Sequence, residues 1–258
     1  MVHMGQRLGQ HFLINNGKLE NVANALGLRK GDFVIEVGPG HGELTQYLLK
    51  TGAHVTALER DKPLIDPLNR RFGENDFEVI EGNALELLPM VVEELKQEGR
   101  SYMIAGNIPY YITGFLLRVI EGLDHKPTRV VMTIQKEVAE RICATTPHMN
   151  LLAASVQFWA DPKMVDIVPK ADFDPPPKVD SATIRLNVKK EIGDSKAYFV
   201  MVKRIFAQPR KTIANNLAGK EGSKEELAKK LEAIGIDAQK RPHDLTVEDI
   251  RRMEKIYE

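Results

Sequence analysis

A strand that runs directly into a glycine cluster, and then into a helix, restricts this chain more than any other feature. Asp32-Phe33-Val34-Ile35-Glu36-Val37 is mostly apolar and β-rich, and it stops at Gly38-Pro39-Gly40-His41-Gly42. Helical spacing takes over in Glu43-Leu44-Thr45-Gln46-Tyr47-Leu48-Leu49. Glycines in such a turn admit positive φ and let a ligand approach the backbone closely. In open α/β sheets, ligands bind beyond the carboxyl ends of the strands near the switch point, where this turn sits.

The alternation continues. Strands are predicted at 54–59, 77–80, 102–107 and 129–135, with helices at 64–72, 91–97 and 136–144. This pattern predicts an α/β fold with a mainly parallel sheet. After Val188 the pattern becomes helical, with amphipathic segments at 195–207, 211–217, 224–234 and 247–257, separated by Gly219, Gly235 and Pro242. The expected division is therefore a sheet domain over 1–190 and a small all-helical domain over 191–258.

At 258 residues the chain can bury a substantial core without disulfides or metals. Its one cysteine, Cys143, excludes an internal disulfide and any multi-cysteine metal site, which fits a reducing, cytoplasmic setting. Cys143 itself reads as a buried helix residue. The N-terminus lacks a signal-peptide core. No stretch approaches the roughly 20 apolar residues that cross a bilayer. Lys and Arg total 36, as do Asp and Glu. Zero net charge weighs against a nucleic-acid partner, since phosphates are usually met by excess cations, but segregated charge restores the option. Arg204, Arg210, Lys211 and Lys220 gather near the start of the helical region, and Arg7, Arg29 and Lys30 near the N-terminus. A charge run is more often a solvated face, so these residues are candidates for RNA contact only in combination with a site.

Glu59 closes the second predicted strand, 19 residues after Gly40. A carboxylate there can accept both ribose hydroxyls of an adenosine-containing cofactor. Nicotinamide dehydrogenases also pair a glycine turn with a distant acid, but their spacing is G-x-G-x-x-G, against G-x-G-x-G here. Methyltransferase, dehydrogenase and a ligand-free turn all remain open on this loop alone.

Asn107-Ile108-Pro109-Tyr110 follows the fourth predicted strand and so lies at the same sheet edge. The exocyclic N6 of adenine is a poor nucleophile because its lone pair is delocalised into the ring. Two acceptors for its N–H groups draw that nitrogen towards tetrahedral geometry. The Asn107 side-chain oxygen and the Ile108 carbonyl can supply both. Pro109 has a fixed φ and no N–H, which stiffens the turn. Tyr110 offers a ring on which an unstacked base can rest. The plainer alternative is a strand-ending turn.

With this tetrapeptide a resemblance becomes specific. Asn107-Ile108-Pro109-Tyr110 resembles the N-[LI]-P-Y motif of the KsgA/RsmA (Dim-type) ribosomal RNA adenine dimethyltransferases. Four further segments are similar to that family in the same order: Gly9-Gln10-His11-Phe12-Leu13, Glu36–Thr45, Phe173-Asp174-Pro175-Pro176-Pro177-Lys178-Val179-Asp180-Ser181-Ala182, and Phe206-Ala207-Gln208-Pro209-Arg210-Lys211-Thr212. The resemblance implies a Rossmann-like class I domain that uses S-adenosyl-L-methionine, followed by a small helical domain.

It also implies roles. His11 and Leu13 would line the methionine and ribose side of the cofactor, Gly38 and Gly40 would approach it through backbone, and Glu59 would hold the ribose. Asn107 would lie between cofactor and target amine, and Phe173 would stack on the adenine opposite Tyr110. Arg204, Arg210 and Lys211 would contact RNA. The implied reaction is in-line methyl displacement without metal or covalent nucleophile, and His41 and His148 need no part in it. The implied substrate is a pair of adjacent adenines in the 3′-terminal hairpin of small-subunit rRNA, within an immature subunit, met by a monomeric enzyme.

Two departures stand out. Asn83 occupies a position where the family usually has Asp, and an amide oxygen can accept the cofactor's adenine amine only without charge assistance. Pro209 stands where a second Arg is common. Two rivals share part of the pattern: large-subunit methyltransferases that confer macrolide resistance, and a ribosome-assembly binding factor with secondary catalysis. The proline-rich segment and Arg210-Lys211-Thr212 favour the small-subunit group.

Overall fold

A computed structural model describes residues 10–193, 195–218 and 223–254. Gly9, Arg7, Gly219, Lys220 and the expected last turn at 255–257 lie outside the described residues. The chain folds as two compact units, Met1–Ala139 with Pro162–Val188, and Glu140–Asp161 with Lys189–Glu258.

The first unit is built on β1 (Phe12–Leu13), α1 (Asn16–Leu26), β2 (Phe33–Val37), α2 (Thr45–Lys50), β3 (His54–Glu59), α3 (Ile65–Phe72), β4 (Phe77–Glu81), α4 (Ala84–Gln97), β5 (Tyr102–Asn107), α5 (Thr113–Gly122) and β6 (Arg129–Gln135). Then come α6 (Lys136–Ile142), α7 (Leu151–Trp159), β7 (Ala160–Val168), β8 (Phe173–Asp174) and β9 (Ser181–Val188). The remaining helices are α8 (Ser195–Ile205), α9 (Ile213–Leu217), α10 (Lys224–Ala233) and α11 (Val247–Glu254).

Seven strands form one sheet in the order β4-β3-β2-β5-β6-β9-β7. The five from β4 to β6 pair in parallel. β9 pairs antiparallel with β6, from Arg129↔Asn187 to Gln135↔Ser181. The sheet is therefore mainly parallel, as the sequence predicts, with β9 added antiparallel beside β6. The chain steps outward from β2 through β3 to β4, then returns to place β5 on the other side of β2. That reversal puts the switch point between β2 and β5. The glycine turn after β2 and the turn after β5 emerge there side by side.

Val34, Ile35 and Val37 of β2 and Ile104 and Ala105 of β5 are all buried, as expected for central strands covered on both faces. Outside the sheet, β1 and β8 pair antiparallel with Phe12 opposite Asp174 and Leu13 opposite Phe173. Ile14 N donates to the Asp172 carbonyl at 2.8 Å, which extends the clamp.

Several elements differ from the sequence expectation for local reasons. α4 begins at Ala84, seven residues before the predicted start, and runs through Pro89. Pro89 is exposed, so it removes one backbone hydrogen bond without meeting a neighbour that would end the helix. Asn83 caps this helix by accepting from Leu85 N. α6 stops at Ile142, which leaves Cys143 half-buried in the following turn and not in a helix.

The second unit contains α7 and α8 to α11. Its core includes Phe158 and Tyr198, whose rings stack at 4.1 Å, with Tyr198 Oη donating to the Ala154 carbonyl at 3.0 Å. Arg251 of α11 lies over the Phe158 ring. The helical unit begins at Lys189, beside the expected boundary near 190, but also takes Glu140–Asp161, which the sequence placed in the first domain. The reason is packing: α7 supplies Phe158 and Ala154, which meet Tyr198 of α8 and Arg251 of α11.

Candidate active site

The cleft opens at the switch point and is lined by six segments of the chain. Gln10, His11 and Phe12 come from the N-terminal segment, Gly38 and Gly40 from the turn after β2, and Glu59 and Arg60 from the end of β3. Asn83 contributes from the turn after β4, Asn107 to Ile112 from the turn after β5, and Phe173 from β8. The space it encloses is about 870 Å³ when the solvent-filled mouth is included. Every lining residue belongs to the first unit.

The glycine turn is shaped for a ligand. Gly38, Gly40 and Gly42 have φ of 70°, 61° and 90°, the left-handed region that side chains disfavour. A Cβ on Gly38 would meet nothing within 4 Å, so the space beside it is open. A Cβ on Gly40 would come within 2.8 Å of the Phe12 ring, so the clamp formed by β1 presses directly on the turn.

Glu59 is buried and its carboxylate is held in place. Asp61 N donates to Oε1 at 2.7 Å and Gly40 N to Oε2 at 3.3 Å. Burial raises its pKa, and the backbone donors at Asp61, Gly40 and Arg60 pull it back. The remaining lone pairs are available to hydroxyl donors in the cleft.

Asn107 is fixed from behind. Its Nδ2 donates to the His11 carbonyl at 2.7 Å, which leaves Oδ1 as the atom available to a ligand. Ile108 N donates to the Thr133 carbonyl of β6 at 3.0 Å, and Ile112 N to the Pro109 carbonyl at 3.0 Å. Both ends of the turn are thus anchored. Gly106 lets the strand end approach β2, since a Cβ there would lie 2.5 Å from the Val37 carbonyl oxygen. The Tyr110 hydroxyl shares a hydrogen bond of 2.7 Å with Ser181 Oγ, and burial raises its pKa. Its ring stands 6.0 Å from that of His11 at a tilt of 32°. His11 Nδ1 donates to the Pro175 carbonyl at 2.7 Å, so the proline-rich segment orients His11 and, through its backbone, Asn107.

Among the residues singled out in the sequence, His11, Gly38, Gly40, Glu59, Asn83, Asn107, Ile108, Pro109, Tyr110 and Phe173 meet in this cleft. Leu13 does not; it is 2% exposed and packs in the core with Val22 and Phe173. Phe173 serves both places, since it lines the cleft yet is only 3% exposed. The Asn83 amide oxygen caps α4, and its Nδ2 donates to Glu86 Oε1 at 2.8 Å. Arg210 and Lys211 lie exposed in the turn between α8 and α9 of the second unit, and Arg204 is half-buried in the last turn of α8.

Three features in or beneath the cleft escaped sequence reasoning. Gln10 Oε1 is a buried acceptor in the lining without a hydrogen-bond partner. Tyr111, beside the quoted motif, lines the cleft mouth. Glu36, under the glycine turn, is fully buried, accepts from Thr45 Oγ1 at 2.7 Å, and has a pKa pushed up by burial to about 8. A charged residue inside an otherwise apolar strand was the available signal for it.

Among the described residues no cluster of His, Cys, Asp or Glu is arranged to hold a metal, and no helix is long and apolar enough to cross a membrane. The arrangement can seat an adenosine-bearing molecule across the glycine turn and Glu59, and a second flat group against Asn107 and Tyr110.

Comparison with known proteins gives consistent matches. The family described as Ribosomal RNA adenine dimethylase matches residues 2–258. A protein of Dehalococcoides mccartyi (strain CBDB1) named Ribosomal RNA small subunit methyltransferase A is 39% identical over 252 residues, covering 95% of this chain and 86% of that protein. One of the same name from Clostridium acetobutylicum is 35% identical over 262 residues, covering 98% and 93%. Among solved structures, a dimethyladenosine transferase from Plasmodium falciparum superposes with a TM-score of 0.80 at 24% identity, covering 94% of this chain and 96% of that one. The 23S rRNA methyltransferase ErmE does so at 0.75 and 23% identity, covering 95% and 98%. At these identities the two structures establish a shared fold.

Proposed function

This chain belongs to the ribosomal RNA adenine dimethylase family, and from that premise we propose that its cleft transfers methyl groups to the N6 of two adjacent adenines in the 3′-terminal hairpin of small-subunit rRNA. The enzyme is an S-adenosylmethionine-dependent methyltransferase of ribosomal RNA. The substrate in this reading is an immature small subunit in the cytoplasm, and the enzyme acts as a monomer.

The observation that carries the reading is the Asn107 amide, turned by its bond to the His11 carbonyl so that Oδ1 is left to accept. The methyl donor fits the residues present: open space beside Gly38, a buried and anchored carboxylate at Glu59, and an unpartnered acceptor at Gln10. S-adenosylmethionine supplies an electrophilic methyl group on sulfur. The chain supplies position and electrostatics. Asn107 Oδ1 and the Ile108 carbonyl accept the two N–H groups of the target amine and localise its lone pair. Tyr110 and Phe173, both in the cleft lining, offer apolar surface to the base once it leaves its stack, a step that costs a few kcal/mol. Arg204, Arg210 and Lys211 contribute phosphate contacts that help offset that cost. Holding both reactants aligned contributes up to roughly 7–11 kcal/mol to the rate.

The test is transfer of labelled methyl from S-adenosylmethionine to purified unmethylated small and large subunits, followed by nucleoside analysis. Dimethyladenosine confined to small-subunit RNA supports the proposal. Label confined to large-subunit RNA, or absent from adenine, overturns it.

A further inference from the structure

α5 starts where the Asn107–Tyr110 turn ends, and its inner side is settled by Leu116, Leu117 and Ile120, all buried. Its anchoring requires no apolar group on the outer side. Yet Tyr111, in the single turn leading into α5, is 54% exposed and Phe115 is 58% exposed. The two rings are four residues apart, about one helical turn, and Tyr111 also lines the cleft. Gly114 is exposed between them, and a Cβ there would meet nothing within 4 Å, so the approach to the rings is clear. Arg118, three residues beyond Phe115 on the same side, is exposed and among the described residues forms no ion pair. Apolar side chains scattered singly on a surface need no explanation. Two aromatic rings and a lone cation, continuous with a cleft, form a different pattern. Aromatic faces stack on bases and cations neutralise phosphates, the combination by which proteins hold single-stranded nucleic acid.

We propose that Tyr111 and Phe115 form a stacking shelf for the nucleotide next to the target adenine, with Arg118 meeting its phosphate. This rests on the reading of the cleft as an adenine-methylating site. A second copy of the chain is the weaker occupant. Stable self-association buries about 800 Å² per partner, whereas two rings of about 150–250 Å² each fall short of that. An exposed arginine, without an ion pair among the described residues, also favours a polyanion.

The test uses the full chain and an RNA hairpin with two adjacent adenines in its loop, in intact form and with an abasic nucleotide beside the adenines. Phe115→Ala weakens binding of the intact hairpin by about 5- to 100-fold, the range for loss of one stacked base. It leaves binding of the abasic hairpin and the heat of S-adenosylhomocysteine binding unchanged. Phe115→Trp keeps the intact affinity. Arg118→Ala lowers the slope of log affinity against log salt by about one. Equal weakening of both hairpins by Phe115→Ala, or no weakening of either, overturns the shelf, as does a dimer in solution that Phe115→Glu dissociates. Failure of the unaltered chain to methylate adenine in small-subunit RNA would instead remove the reading on which the shelf rests.

Discussion

Asn83 Nδ2 donates to Glu86 Oε1 at 2.8 Å, so the amide that replaces the usual aspartate is paired with a carboxylate one helical turn along. Its oxygen meanwhile caps α4 through Leu85 N and keeps a second lone pair, which in the proposed reading accepts the cofactor's adenine amine. An aspartate here would set two carboxylates within contact of each other. Glu86→Gln in an Asn83→Asp background therefore tightens S-adenosylhomocysteine binding about threefold, a change on the order of that for one exposed charge pair. The same Glu86→Gln change alone leaves affinity within about twofold. Calorimetry on the four proteins measures this, and identical effects of Glu86→Gln in both backgrounds would rule out the coupling.

Glu36 gives the fold a pH dependence. Its carboxyl titrates near 4.5 when unfolded and near 8 when folded. Below about 4.5 it is protonated in both states and costs nothing. As pH rises from there towards 8, only the unfolded chain releases the proton, so stability falls; above 8 the loss is complete. Glu36→Gln keeps an acceptor for Thr45 Oγ1 and removes the titration. Denaturant melts from pH 5 to 9 will show the unaltered chain losing a few kcal/mol more than the variant, on the order of 1.4 kcal/mol per unit. Parallel curves would mean that Glu36 is ionised in the folded chain.

Two of the turn glycines, Gly38 and Gly42, separate binding from folding. Gly38→Ala and Gly42→Ala each force a side chain into positive φ, at about 1–2 kcal/mol. The Gly38 methyl then enters open space, whereas the Gly42 methyl would lie 2.3 Å from Phe72 Cε2. Gly42→Ala consequently lowers the melting temperature more than Gly38→Ala, and Gly38→Ala weakens S-adenosylhomocysteine more than its stability loss explains. Thermal melts with and without ligand check the order, and its reversal would contradict the assigned cleft wall.

Tyr110 is expected to act through its ring. Tyr110→Phe breaks the bond to Ser181 Oγ and costs about 1 kcal/mol of stability. Methyl transfer stays within about threefold, while Tyr110→Ala lowers it by more than tenfold, in line with about 1–3 kcal/mol for a stacked base. Equal losses in single-turnover assays of the two variants would assign the work to the hydroxyl.

The parts of the site written contiguously were legible in the sequence. The glycine turn, Glu59 and Asn107-Ile108-Pro109-Tyr110 each sit at the carboxyl end of a strand, and strand periodicity alone places them at one sheet edge. The parts made by distant pairing were not. β1 and β8 are two residues each, too short for periodicity, yet their pairing brings Phe12 onto Gly40 and His11 onto Pro175. β9 enters antiparallel between β6 and β7, an arrangement that no local pattern encodes. Leu13 shows the limit of a motif: alternation along a two-residue strand turned it into the core while its neighbour Phe12 faces the cleft. The burial of Glu36 depends on helices covering both faces of the sheet, which composition cannot reveal.

Single-turnover methyl transfer by Asn107→Ala on unmethylated small subunits tests the central claim most directly. The expected result is a rate lowered at least 100-fold, the scale for losing one preorganised hydrogen bond to the reacting group, with subunit binding and S-adenosylhomocysteine affinity held within about threefold. Transfer at the unaltered rate, or a loss accounted for by weaker binding, would contradict it.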